Sequence, residues 1–215
     1  VNFIATLAPK WLRGLLRIVT LADVDAVLDA SGFAYSDQRG IERAEMMAAY
    51  ARRMKQAGKT VILLPQAFGP LEQERVRDAV CQILDNTDLV FAREQSSYDY
   101  LVGLDAKTSH IKTAPDFTCL VEGRVPTYFD SNTKWACIVP NYRMLDSTSS
   151  EVADKDLPFL AQCIKYVDGQ GIKPFILIHE TDRDFEIAIS LRSMLTQTLP
   201  TIQESDPVYI KGILG

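Results

Sequence analysis

Six short segments of this chain place charged or amide side chains beside small residues, the combination from which polar ligand sites are built. Asp29 to Asp37 reads DASGFAYSD. Ser31 and Gly32 let the backbone approach a ligand closely, while Asp29 and Asp37 offer carboxylates that could take a proton or bind sugar hydroxyls. A plain turn with solvated carboxylates fits the same letters. Gln66-Ala67-Phe68-Gly69-Pro70 puts an amide directly after an apolar run, with Gly69 allowing a tight turn; it also reads as a connector in which Gln66 caps backbone. Arg93-Glu94-Gln95-Ser96-Ser97 offers a bidentate clamp for a phosphate or carboxylate, with Ser96 suited to a helix N-terminus. The alternative there is an ion pair between Arg93 and a nearby Asp. Ala114-Pro115-Asp116 reads as a turn carboxylate holding a neighbouring loop. Asn141-Tyr142-Arg143 is an anion clamp by type. His179-Glu180, with Asp182 close behind, is either a ligand contact or structural, and spacing leaves both open. His110 reads as a surface residue. No GxGxxG fingerprint and no Ser-His-Asp or Cys-His nucleophile motif is present.

The elements that must position these residues alternate between strand and helix, the pattern of a parallel sheet covered by helices. Val24–Asp29 is a short apolar strand and Gly40–Gly58 a helix by its three- and four-residue apolar steps. Lys59–Pro65 is a continuous apolar run, as parallel strands buried on both faces are. Pro70–Asp85 reads as a helix, Thr87–Ala92 as a strand, Glu94–Leu104 as a helix and Ile111–Ala114 as a short strand. The Gly, Pro, Ser, Asn and Thr of residues 123–134 read as a linker. Beyond it Trp135–Pro140, Lys173–Ile178 and Val208–Ile210 are strand candidates, with helices at Leu157–Gly169 and Asp182–Leu195. The expected organisation is an α/β protein of two Rossmann-like domains, residues 1–122 and an incomplete 135–215, facing a cleft. Ligands of open parallel sheets sit beyond the carboxyl ends of strands. All six segments fall at such ends.

Composition narrows the function. The 215 residues carry a net charge of −5, which argues against a general nucleic-acid surface. Cys81, Cys119, Cys137 and Cys163 form no CxxC and have no His at ligand spacing, so no metal is expected. Their aliphatic neighbours read as buried free thiols in a reducing compartment. No leader and no apolar stretch of roughly 20 residues is visible, and the expected location is the cytoplasm. Trp11–Val19 is amphipathic; packing against the domain is favoured over contact with a membrane surface. The abrupt opening, and the closing YIKGILG that reads as the start of an element, suggest a fragment.

Taken in order, VDAVLDASGFAYSD, KTVILLPQAFGP, NTDLVFAREQSSYDYL, TAPDFTCLV, CIVPNYRM and FILIHETDRD resemble the polysaccharide pyruvyl transferase family. The resemblance implies a build similar to two-domain glycosyltransferases. It implies an enzyme moving the pyruvyl group of phosphoenolpyruvate onto a sugar hydroxyl of a polysaccharide or lipid-linked precursor, as in exopolysaccharide or cell-wall biosynthesis. Phosphoenolpyruvate would be a co-substrate, with no cofactor. Residue by residue, Asp37, or with less support Asp29, would stand near the acceptor sugar, and Arg143 would face the phosphoenolpyruvate anion. Arg93 and the Gln66 loop would line the first domain. By type and place Ser31, Gly32, Gly69, Ser96, Asn141 and His179 join the expected substrate contacts. The family's early Gly-Asn-x-Gly-Asp loop and late Arg-x-His motif have no counterpart here, so the expectation is an incomplete copy. A nucleotide-sugar glycosyltransferase and an inactive glycan-binding fragment are the alternatives.

Overall fold

The computed structural model describes residues 9–179, 182–196 and 198–215. The chain divides into two compact units, Val1–Leu120 and Val121–Gly215, each built on its own parallel sheet. The architecture is α/β and Rossmann-like, as the alternating pattern predicts.

In the first unit β1 (Ala26–Asp29), β3 (Thr60–Phe68), β4 (Leu89–Ala92) and β5 (Ile111–Thr113) lie side by side in that order. A further strand, β2 (Phe33–Tyr35), continues along the same flank of β3 that β1 occupies. Helices α2 (Ile41–Gln56), α3 (Glu74–Asp85) and α4 (Gln95–Val102) connect the strands, after a short α1 (Lys10–Leu15). Every pairing is parallel, so all the strand exits open at one end of the sheet. The core is apolar: Ala44, Ala51, Val61, Leu63, Val76, Val80, Val90, Ala92 and Leu101 are completely shielded from solvent. At roughly 25 cal/mol per Å2 of apolar surface removed from water, this burial sets the sheet register and with it the positions of the exits.

Two differences from the sequence pattern bear on the site. The strand expected to stop at Pro65 runs on to Phe68, because β2 supplies partners for Ala67 and Phe68. Gln66 is therefore part of a strand, fully buried, instead of standing in an exit loop. The helix expected from Pro70 starts at Glu74, which leaves residues 69–73 as the connection at the β3 exit.

His110, expected at the surface, is buried. Its Nε2 lies 3.2 Å from the Thr87 hydroxyl, under the turn that leads into β5. Burial, and then the charge of Lys107, lower its pKa below the ordinary 6.5, against the pull of Asp88 and Asp85. The unfolded chain therefore binds the proton more readily than the folded one. His110 contributes its full stability above about pH 6.5 and loses it as pH falls below that value. Urea midpoints measured from pH 8 to 5 should fall more steeply for this chain than for His110→Asn; equal slopes would refute the assignment.

The second unit has β6 (Trp135–Ile138), β7 (Lys173–Ile178) and β8 (Thr201–Gln203) in a parallel sheet of that order. Its helices are α5 (Arg143–Asp146), α6 (Ser150–Gly169), α7 (Asp182–Ser193) and α8 (Pro207–Leu214). Strand β7 is buried on both faces: Ile176 and Ile178 pack with Ile164, Ala188 and Leu191, while Phe175 and Leu177 pack with Ile213 and Trp135. Such a central parallel strand is a continuous apolar run. The strand expected at Val208–Ile210 is instead within α8, because Asp206 caps the Val208 N–H at 2.8 Å and Pro207 takes the first helical position. The third strand, β8, comes from residues too few and too mixed to signal it. The cysteines are less buried than their aliphatic neighbours suggest: Cys119 is exposed and the other three are partly covered. Trp11 and Leu15 of α1 are 72% and 75% exposed, so the helix packs on the domain less than its pattern suggests.

Candidate functional site

Three side chains converge on the carboxylate of Asp29, the last residue of β1. One carboxylate oxygen accepts a hydrogen bond from the Ser31 hydroxyl. The other accepts from the Tyr35 hydroxyl at 3.0 Å and from the Gln66 side-chain amide at 2.9 Å. The local cause is the interrupted edge. Residues 30–32 bulge between β1 and β2, with Gly32 at φ 70°, so that Asp29, Ser31 and Tyr35 turn toward the same point. Burial, and then the Asp29 charge beside it, push the Tyr35 hydroxyl pKa upward, so it stays a donor at any physiological pH. Three donors on one carboxylate make Asp29 a fixed anion with a set direction. The Gln66 Oε1 is buried and has no hydrogen-bond partner among the described residues.

Asp29, Ser31 and Tyr35 stand at the polar end of a groove of about 790 Å3 between β1 and α2. Its walls are Leu28, Met46, Met47 and Tyr50, with Arg43 on the polar side. A space of that size falls in the range of small-molecule ligand sites.

Asp37 has a different environment. Its carboxylate accepts from the backbone N–H of Glu72 at 2.7 Å and of Gln73 at 3.3 Å, and its own N–H donates to the Pro70 carbonyl at 3.0 Å. The segment from Gln66 to Gln73 thus touches Asp29 at one end and Asp37 at the other. Gly69, at φ 80° and buried, makes the bend between them, and the Tyr100 ring lies against its Cα face.

The β4 exit is braced by charge. Arg93 pairs with Glu94 at 3.0 Å and with Asp116 at 3.2 Å, and its backbone N–H donates to the Gln66 carbonyl at 3.0 Å. The Thr118 backbone N–H and hydroxyl, then Arg93, hold the Asp116 carboxyl below its usual range. The Ala114-Pro115-Asp116 turn therefore anchors Arg93. Ser96 is exposed, whereas its neighbour Ser97 is buried, receives the Phe68 N–H at 2.8 Å and bonds the Glu94 carboxylate. Ser97 ties β3 to α4, a role the sequence pattern assigned to neither serine.

The second unit has its own group at the exits of β6 and β7. Asn141 accepts the Arg143 N–H at 2.9 Å through its side-chain oxygen. Arg143 is exposed and pairs with Asp146 at 2.9 Å within α5. The Tyr142 N–H donates to the buried Asp184 carboxylate at 2.8 Å. His179 follows β7, its Nδ1 buried without a partner among the described residues; Glu180, paired with it in the sequence pattern, lies outside them. Asn141, Arg143 and His179 thus share one end of this sheet, and Asp29, Ser31, Gln66 and Tyr35 form one bonded group in the first unit. Tyr35 and Arg183 are absent from the sequence-derived set. Tyr35 was hidden within a segment that reads as a turn.

Among the described residues, no three or more His, Cys, Asp or Glu are grouped to hold a metal ion, and no helix is long and apolar enough to cross a membrane. No curated protein matches the chain. A protein-family model described as polysaccharide pyruvyl transferase matches residues 3–210.

Proposed function

The chain belongs to the polysaccharide pyruvyl transferase family, and from that premise we propose that it carries the pyruvyl group of phosphoenolpyruvate to a glycan or its lipid-linked precursor in the cytoplasm. The overall change balances without a cofactor. Carbon 3 of phosphoenolpyruvate takes a proton and becomes a methyl group. Two sugar hydroxyl oxygens bond to carbon 2, and inorganic phosphate leaves with the remaining proton.

The observation that carries the reading is the fixed Asp29 carboxylate at the polar end of the groove. With three donors fixing its direction, Asp29 is placed to hold a sugar hydroxyl. Asp37 keeps only two backbone donors, one of them at 3.3 Å. Its remaining lone pairs can take the proton of the attacking hydroxyl, a role worth about a hundredfold or more in rate when well placed. Arg143 meets the donor anion. Its exposed pairing with Asp146 is of a kind worth at most about 1 kcal/mol, so a dianionic ligand can displace it.

The test is release of phosphate from phosphoenolpyruvate with cell-wall oligosaccharides as acceptors. Release that depends on the acceptor, with a new ketal methyl signal in the product, is the expected result. Glycan binding without release would leave a binding protein, and stabilisation by nucleotide sugars but not by phosphoenolpyruvate would indicate glycosyl transfer.

A further inference from the structure

Around Tyr142 the second unit places a cation that neither the motif pattern nor the family match singles out. Strands β6 and β7 are paired in parallel from Trp135 with Lys173 to Ile138 with Ile176, so their exits emerge side by side. The turn after β6 is fastened to α7: Asp184, 2% exposed, accepts the Tyr142 N–H at 2.8 Å. One residue earlier on α7, the Arg183 guanidinium lies 4.8 Å above the centre of the Tyr142 ring. Stacking on an aromatic face holds a guanidinium plane while leaving its N–H edges open. Among the described side chains no carboxylate pairs with Arg183, unlike Arg143, which has Asp146. The His179 Nδ1, buried without a partner among the described residues, belongs to the same end of the sheet.

We propose that Arg183, held flat by Tyr142 and anchored through Asp184, is the second cation of the phosphoenolpyruvate site. This rests on the pyruvyl-transfer reading. Phosphoenolpyruvate carries two anionic groups, a carboxylate and a phosphate, and one guanidinium fork satisfies one of them. Arg143 and Arg183 flank Tyr142 from the sequence and from α7 respectively, so each can take one group. Asp184 is a positioning residue in this scheme, because it touches Tyr142 and not the ligand.

Calorimetric titration of the full chain with phosphoenolpyruvate tests the assignment. Arg183→Gln should weaken binding roughly tenfold or more, the loss of one charge-assisted contact, with the ligand-free melting midpoint unchanged. Arg183→Lys keeps the charge without the flat fork and should recover part of the affinity, which a merely structural Arg183 would not produce. Arg143→Gln should weaken binding independently. Arg183→Gln binding as tightly as the unsubstituted chain, while Arg143→Gln does not, overturns the Arg183 proposal and leaves the donor reading intact. A chain that binds no phosphoenolpyruvate overturns the donor reading, and the Arg183 assignment falls with it.

Discussion

Replacing Asp37 by Asn is expected to lower the turnover of pyruvyl transfer about a hundredfold or more, with little change in the affinity for phosphoenolpyruvate. The Asn side-chain oxygen can still accept the Glu72 N–H, which Asp37 now accepts at 2.7 Å. Only the 3.3 Å contact with the Gln73 N–H is given up, so the fold should lose about 1 kcal/mol or less. The proton acceptor, by contrast, is gone. Asp29→Asn should behave differently. It replaces an acceptor of three donors by a group that can oppose one of them with its own N–H. Its expected signature is a raised KM for the acceptor glycan with a smaller fall in kcat. Steady-state kinetics on the two variants separates the roles. If Asp29→Asn loses turnover and Asp37→Asn keeps it, the assignment of the two carboxylates is reversed.

The largest stability effect is expected at Gly69. Its φ of 80° lies in the left-handed region, which costs a residue with a side chain about 1–2 kcal/mol. A Cβ added there would also stand 2.4 Å from the Tyr100 ring. Tyr100 is 42% exposed and can swing outward, giving up part of its packing, about 1 kcal/mol more. Gly69→Ala should therefore destabilise the chain by about 2–3 kcal/mol, read as a shift in the urea midpoint without a change in slope. Tyr100→Ala in the same chain should recover the part due to the clash and leave the part due to φ. Full recovery, or none, would show that one of the two causes is absent. Because Gly69 also shapes the segment between Gln66 and Asp37, the variant should lose transfer activity beyond its loss of folded protein.

Much of the scaffold is legible in the letters. The run KTVILLP announces a strand buried on both faces, the three- and four-residue apolar steps of residues 41–54 announce α2, and the alternation of the two kinds announces parallel sheets. These signals are local, because burial of a strand or a helix face writes its own period into neighbouring residues. The list of polar residues at strand exits follows from the same reading, since parallel strands carry their C-terminal ends to one side. Misreadings concentrate where a long-range partner overrides the local signal. Gln66 looks like a loop residue until β2 is seen to pair alongside it. His110 looks exposed until Thr87 and the turn before β5 close over it. Val208–Ile210 looks like a strand until the Asp206 cap starts a helix there.

The amino-acid sequence by itself thus determined the α/β class, the strand exits where Asp29, Asp37, Arg93, Arg143 and His179 stand, and the family pattern they compose. Only the tertiary structure decided what each can do. Asp29 and Gln66 are 37 residues apart and meet at 2.9 Å; Tyr142 and Asp184 are 42 apart and meet at 2.8 Å. The Gln66 donor on the Asp29 carboxylate and the two backbone donors on Asp37 are brought there by pairings between distant segments. So are the ring that flattens Arg183 and the partners that hold Arg93. Register follows from how whole faces pack, and no short run of residues contains it.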